Sequence, residues 1–166
     1  MEFTVRKPNR LTEYDYNHNG AYFVTICTQD RRKILSRIIV GDGAHDVPKV
    51  ALTQMGEIAQ KYILSSNRIP GITVDKFVIM PDHIHIILSI DETARKGPSR
   101  APSPTNAAIP HLISTFKRFC HREIGTPIFQ RSYYDHVIRN QRDYDEIWQY
   151  IENNPMKWVM EKQGFE

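Results

Sequence analysis

The chain has 166 residues, 40% hydrophobic and 25% charged, with a formal net charge of +3. That length fits a single domain, 1–166, able to bury about two thirds of its unfolded surface, and the balance excludes disordered, fibrous and membrane-spanning classes. No apolar run reaches the ~18 residues of a membrane helix, and MEFTVRKPNR lacks the apolar centre of a signal peptide, so a cytoplasmic location is expected.

Residues 21–28 (AYFVTICT) are β-branched and aromatic and follow the turn residues Asn19 and Gly20, which predicts a first strand. The basic cluster Arg31, Arg32 and Lys33 comes next, then a loop carrying Gly41, Gly43 and Pro48. From Val50 to Leu64, the residues Leu52, Met55, Ile58, Ala59, Tyr62 and Ile63 recur at helical spacing and predict a first helix that stops before Pro70 and Gly71. ITVDKFVI (72–79) reads as a second strand, Met80, Pro81 and Asp82 as a tight turn, and HIHIILSI (83–90) as a third strand antiparallel to it. Composition then shifts to Pro, Ser, Arg and Lys over 91–106, a flexible loop whose cations are Arg95, Lys96 and Arg100.

A second helix over 109–124 sets Leu112, Phe116, Phe119 and Cys120 on one side and Lys117, Arg118, His121 and Arg122 on the other, ending at Gly125. SYYDHVIR (132–139) is a fourth strand, Asn140 an N-cap, and 142–153 a third helix with the stripe Tyr144, Ile147, Trp148 and Ile151. Cys27 and Cys120 fall inside apolar patterns and are expected as buried free thiols. The order βαββαβ plus a C-terminal helix indicates an α+β, ferredoxin-like sandwich with an antiparallel sheet and two helices on one face. Its other face then needs a cover or a ligand.

The third strand carries the chemistry. Side chains alternate across a strand, so Ile84, Ile86, Leu88 and Ile90 face the helices while His83, His85, Ile87 and Ser89 face away. The two histidines are then neighbours roughly 6.5–7 Å apart at Cα. Two readings fit such a pair: hydrogen-bonded structural residues, or two imidazoles converging on one metal ion. A histidine-triad hydrolase would need a third histidine where Ile87 stands, and HExxH spacing and paired His-x-Thr or His-x-Ser motifs are absent around the pair. Two ligands are too few for a closed structural zinc site, so a metal here would borrow a third ligand and keep open positions.

VIMPDHIHIIL, followed by YYDHVIRN and then YIENNPMKW, resembles the HUH single-tyrosine transposases, particularly the REP-associated tyrosine transposases. The resemblance runs from the first strand to Trp158. It implies a ferredoxin-like core with the histidine pair on a central strand, Tyr150 as nucleophile on the C-terminal helix, and Asn154 completing a divalent site, Mg²⁺ or Mn²⁺, with His83 and His85. It also implies cleavage and rejoining of hairpin-forming single-stranded DNA through a 5′-phosphotyrosine, by a monomer or a homodimer. Residues four apart on a helix lie within ~40° of each other, so Tyr150 and Asn154 share a face, although Pro155 is expected to end the helix near Asn154.

Tyr133 and Tyr134 are the alternative nucleophiles, of which only one can face the histidines. DNA contacts are expected from Arg31, Arg32, Lys33, Lys117, Arg118 and Arg122, with His136 and Arg139 as phosphate-positioning or structural residues. Two competing functions are a non-catalytic hairpin-binding protein and a metal-dependent phosphoesterase acting on nucleotides or RNA.

Overall fold

A computed structural model of the chain describes residues 20–43, 45–91, 94 and 108–162. In chain order these form β1 (Gly20–Cys27), β2 (Ser36–Ile39), β3 (Lys49–Leu52), α1 (Gln54–Ser65), β4 (Ile72–Ile79), β5 (His83–Ile90), α2 (Ala108–Ile124), β6 (Tyr134–Ile138) and α3 (Gln141–Lys162). Four strands make one antiparallel sheet in the order β4-β5-β1-β6. Counted within the sheet alone, the first strand lies between the third and the fourth, and the second flanks the third, which is the ferredoxin-like arrangement expected from the element order.

Strand alternation decides both faces. On one, Ile84, Ile86, Leu88 and Ile90 of β5 join Tyr22, Val24 and Ile26 of β1 against Ala59 and Ile63 of α1 and Leu112, Phe116 and Cys120 of α2. Each fully buried aliphatic side chain here contributes about 1.5–3 kcal/mol, so this layer dominates the stability. On the other, Ile87 and Ile138 meet Ile151 of α3, with Phe23, Ile147 and Trp148 around them. The helix α3 is thus the cover that the second face requires. Both cysteines are free and buried, and burial pushes the Cys120 thiol up to about 12. Among the described residues no helix is long and apolar enough to cross a membrane.

The structure corrects the sequence reading in three places. Val50, Ala51 and Leu52 belong to β3, paired with β2 in a separate two-stranded ribbon, rather than to the first helix. That helix begins at Gln54, capped by the Thr53 hydroxyl, which accepts from the Gly56 N–H at 3.2 Å. The last helix does not stop at Asn154 but continues through Pro155 to Lys162. Proline biases the preceding residue away from helix without forbidding it, and here the packing of Ile151 and Asn154 holds the backbone helical. The fourth strand is shorter than 132–139, so Tyr133 precedes it. The expected loop 91–106 lies outside the described residues except at Asp91 and Ala94.

Candidate active site

The tight turn before β5 is fixed on every side. The Met80 N–H donates to the His83 carbonyl at 2.8 Å, the Thr28 N–H to the Asp82 carbonyl at 3.0 Å, and the Leu35 N–H to the Pro81 carbonyl at 3.0 Å. His83 therefore leaves an immobile corner, opposite Cys27 in β1, and His85 stands opposite Thr25.

Both imidazoles are buried and held through Nδ1. The Asp82 carboxylate lies 2.6 Å from Nδ1 of His83, and Thr25 Oγ1 lies 2.8 Å from Nδ1 of His85. The ring centroids are 4.6 Å apart. Burial, with the charges of His83, Arg31 and Lys157, lowers the His85 pKa to about 3, so this ring is neutral across the physiological range.

From the covering helix, Asn154 is 6% exposed and sets Oδ1 3.4 Å from Nε2 of His83. Tyr150, one turn earlier, is 41% exposed and stacks edge-on against His85 at 5.3 Å between centroids and against Phe23 at 6.1 Å. His83, His85, Tyr150 and Asn154 together line one cavity of about 300 Å³, with Thr25, Arg31, Lys157, Trp158 and Glu161 completing its wall.

The donor set fits a divalent ion. With Nδ1 turned to Asp82, the other ring nitrogen of His83, Nε2, faces the Asn154 amide oxygen and would offer its lone pair to a cation whenever Nδ1 carries the proton. Two acceptors so placed do not bond each other and share a cation well. Carboxylate-to-imidazole and hydroxyl-to-imidazole bonds are also the second layer that orients metal-binding histidines. Among the described residues no three His, Cys, Asp or Glu side chains gather, so an ion here would need the Asn154 amide as its third protein ligand.

Of the other expected contacts, Arg31 lies in the cavity wall, its Nε 3.3 Å from Asp82 Oδ2 and its Nη1 donating to Cys27 Sγ at 2.8 Å. Lys33 is beside it, with Nζ 5.7 Å from the Trp158 ring, and Arg32 is exposed in the same connection. His136 bonds Asp143 at 2.8 Å, and Asn140 caps α3 by accepting from the Asp143 N–H at 2.8 Å; Arg139 is exposed. Lys117, Arg118 and Arg122 sit on α2, across the sheet from the histidines. Lys117 donates to the carbonyls of Gln130, Arg131 and Ser132, and burial lowers its pKa to about 8.

Tyr134 shares the histidine face but is exposed, while Tyr133 packs toward the main core. Sequence reading missed Thr25, Lys157, Trp158 and Glu161 as site residues. Lys157 could have been found, since positions seven apart on one helix return to the same face as Tyr150; Thr25 required the strand register.

No family model matches the chain. It is 30% identical to an uncharacterized protein of Haemophilus influenzae, covering 95% of this chain and 92% of that one. It is 26% identical to the REP-associated tyrosine transposase of Escherichia coli, covering 90% of this chain and 76% of that relative. Among solved structures, a REP-associated tyrosine transposase bound to a REP hairpin superposes with a TM-score of 0.63 at 21% identity, over 89% of this chain and 73% of its own. Sequence likeness and shared fold agree, and the chain belongs to the family of REP-associated tyrosine transposases.

Proposed function

We propose that this protein cleaves and rejoins single-stranded DNA beside a hairpin, with Tyr150 as nucleophile. The observation that carries this reading is the meeting, in one cavity, of an accessible tyrosine with two fixed imidazoles and a buried amide. The match to a relative bound to a REP hairpin supports the hairpin as the partner. Tyr150 Oη attacks the scissile phosphorus, the bond to the 3′ oxygen breaks, and that oxygen leaves as a free hydroxyl after taking up a proton. The phenol proton is lost and a 5′-phosphotyrosine forms. A 3′-hydroxyl reverses the exchange, so the phosphodiester bond is conserved and no ATP is consumed.

His83, His85 and Asn154 would hold a divalent ion, Mg²⁺ or Mn²⁺, which when bound supplies Lewis-acid polarisation of a phosphoryl oxygen. Arg31 and Lys157 bring positive charge to the same wall, where phosphate oxygens gather charge during transfer. The indole of Trp158 lines the cavity near His83, and the Phe23 ring packs edge-on against Tyr150.

Labelled single-stranded hairpin DNA incubated with the protein and Mn²⁺ tests this directly. A detergent-resistant protein–DNA adduct is expected, absent in Tyr150→Phe while hairpin binding persists. Cleavage that survives Tyr150→Phe would instead indicate a metal-dependent phosphoesterase, and binding with no cleavage by the native protein a non-catalytic hairpin reader.

A further inference from the structure

Just past the end of β1, the three-residue turn Gln29–Arg31 holds both Asp30 and Arg31 in the left-handed region, at φ 55° and 52°. Non-glycine residues rarely adopt it, and a pair of them marks a turn fixed by its surroundings. This turn separates two cavities. Arg31 lines the one that holds His83 and Tyr150, whereas Gln29 lines a second, about 640 Å³ in volume, between α2 and residues 129–133. Two residues of chain span at most ~7 Å, so at this end of the sheet the turn links the histidine cavity on the α3 side to the second cavity on the α2 side.

The second cavity is preformed. The Gln29 N–H donates to the Ile128 carbonyl at 2.8 Å, and the Gln130 N–H to the Cys27 carbonyl at 2.8 Å. Lys117 ties down the carbonyls of residues 130–132, and the Phe129 N–H donates to His121 Nε2 at 3.2 Å. Its lining combines the rings of His121, Phe129 and Tyr133 with the cations Lys117 and Arg131, and among the described residues it holds no carboxylate. Phe129 is buried beneath His121 and Lys117 is engaged by the three carbonyls, so the partly exposed rings of His121 and Tyr133 and the exposed Arg131 are the groups that face the space. Such rings accept any base on their π faces, a cation without carboxylates favours phosphate, and the volume is that of a small-ligand site.

We infer that this second cavity seats an unpaired nucleotide of the DNA strand whose scissile phosphate lies in the first, the strand passing over the Gln29–Arg31 turn. The inference rests on the DNA-strand reading above; in it Tyr133 supplies a ring, Arg131 a cation, and Lys117 holds the 130–132 wall in place.

The test uses hairpin oligonucleotides with unpaired flanks, each flank position replaced in turn by an abasic residue, and reads affinity by fluorescence anisotropy. In the native protein one position should cost roughly 5- to 150-fold when abasic. Ser114 is exposed on the α2 wall of the cavity, and Ser114→Trp puts an indole into the space a base would take; in it the same position should stop mattering, with intact and abasic strands binding alike. Arg131→Ala, which removes charge without filling the cavity, should flatten the salt dependence by about one phosphate contact.

Native affinity indifferent to every flank position, a full abasic penalty in Ser114→Trp, or an unchanged salt slope in Arg131→Ala would each overturn the inference. Thermal unfolding verifies that both variants fold. Covalent adduct is scored in the same samples: an abasic penalty without adduct removes the Tyr150 reading and keeps the cavity, and adduct without a penalty does the reverse.

Discussion

Asp82 holds His83 by one oxygen and Arg31 by the other, at 2.6 and 3.3 Å, so one carboxylate sets the imidazole's tautomer and steers a guanidinium into the cavity wall. Removing such a second-layer partner typically lowers metal affinity or activity 10- to 100-fold. Asp82→Ala should therefore slow adduct formation by that factor and raise the Mn²⁺ concentration for half-maximal activity, a dependence that a metal titration reads directly. His85 makes a pH prediction. The folded chain protonates it only near pH 3, the unfolded chain near 6.5, so the unfolded state binds more protons between those values. Its contribution to stability is complete above pH 6.5 and is lost as the pH falls toward 3. Urea midpoints at pH 7 and pH 5 should fall further for the native protein than for His85→Gln; equal falls would mean that the ring is not held neutral by burial.

At the scale of elements, α1 enters against the Leu35 carbonyl, which already accepts from the Thr53 N–H at 3.0 Å. A Cβ on Gly56 would lie 2.0 Å from that oxygen, so Gly56→Ala must push the helix off the ribbon. A loss of about 1–3 kcal/mol in denaturant unfolding is expected, and a neutral result would show that α1 docks differently. The same junction explains what the sequence concealed. Leu52 is in phase with Met55, Ile58 and Ala59, so a strand residue extended the helical stripe backwards, and only the β-branched Ile38–Val40 run before Gly41 hinted at a partner strand. At β5 no such ambiguity exists. Ile84, Ile86, Leu88 and Ile90 alternate without a break, so the orientation of His83 and His85 was readable from the letters alone. The Thr25 bond to His85 was not, because it depends on the pairing of β1 with β5, which no local pattern encodes. Pro155 misled in the opposite sense. A local helix-ending signal yielded to burial of Ile151 and Asn154, and so Lys157 and Trp158 reach the cavity.

For the whole molecule, a net charge of only +3 means that any grip on DNA depends on where the cations sit. They fall on two sides of the sheet. Beside the histidine cavity, Lys33 and Lys162 flank the Trp158 ring at 5.7 and 5.0 Å, and the nearness of Lys162 lowers the Lys33 pKa. Two like charges held near one ring repel each other, a repulsion that an entering phosphate would relieve. Across the sheet, Arg118 and Arg122 project from α2, and the Arg118 guanidinium lies 5.5 Å from the Phe119 ring. If the scissile strand lies on the α3 side, the two pairs should differ in salt dependence. Each phosphate contact contributes about 0.7 to the slope of log affinity against log salt for single strands. Replacing Lys33 and Lys162 with alanine should therefore flatten that slope by about 1.4 and weaken binding to every sequence alike. Replacing Arg118 and Arg122 should flatten it by less than half as much. A larger change from the arginine pair would place most phosphate contacts on the α2 side, away from Tyr150 and beyond the single nucleotide seated there.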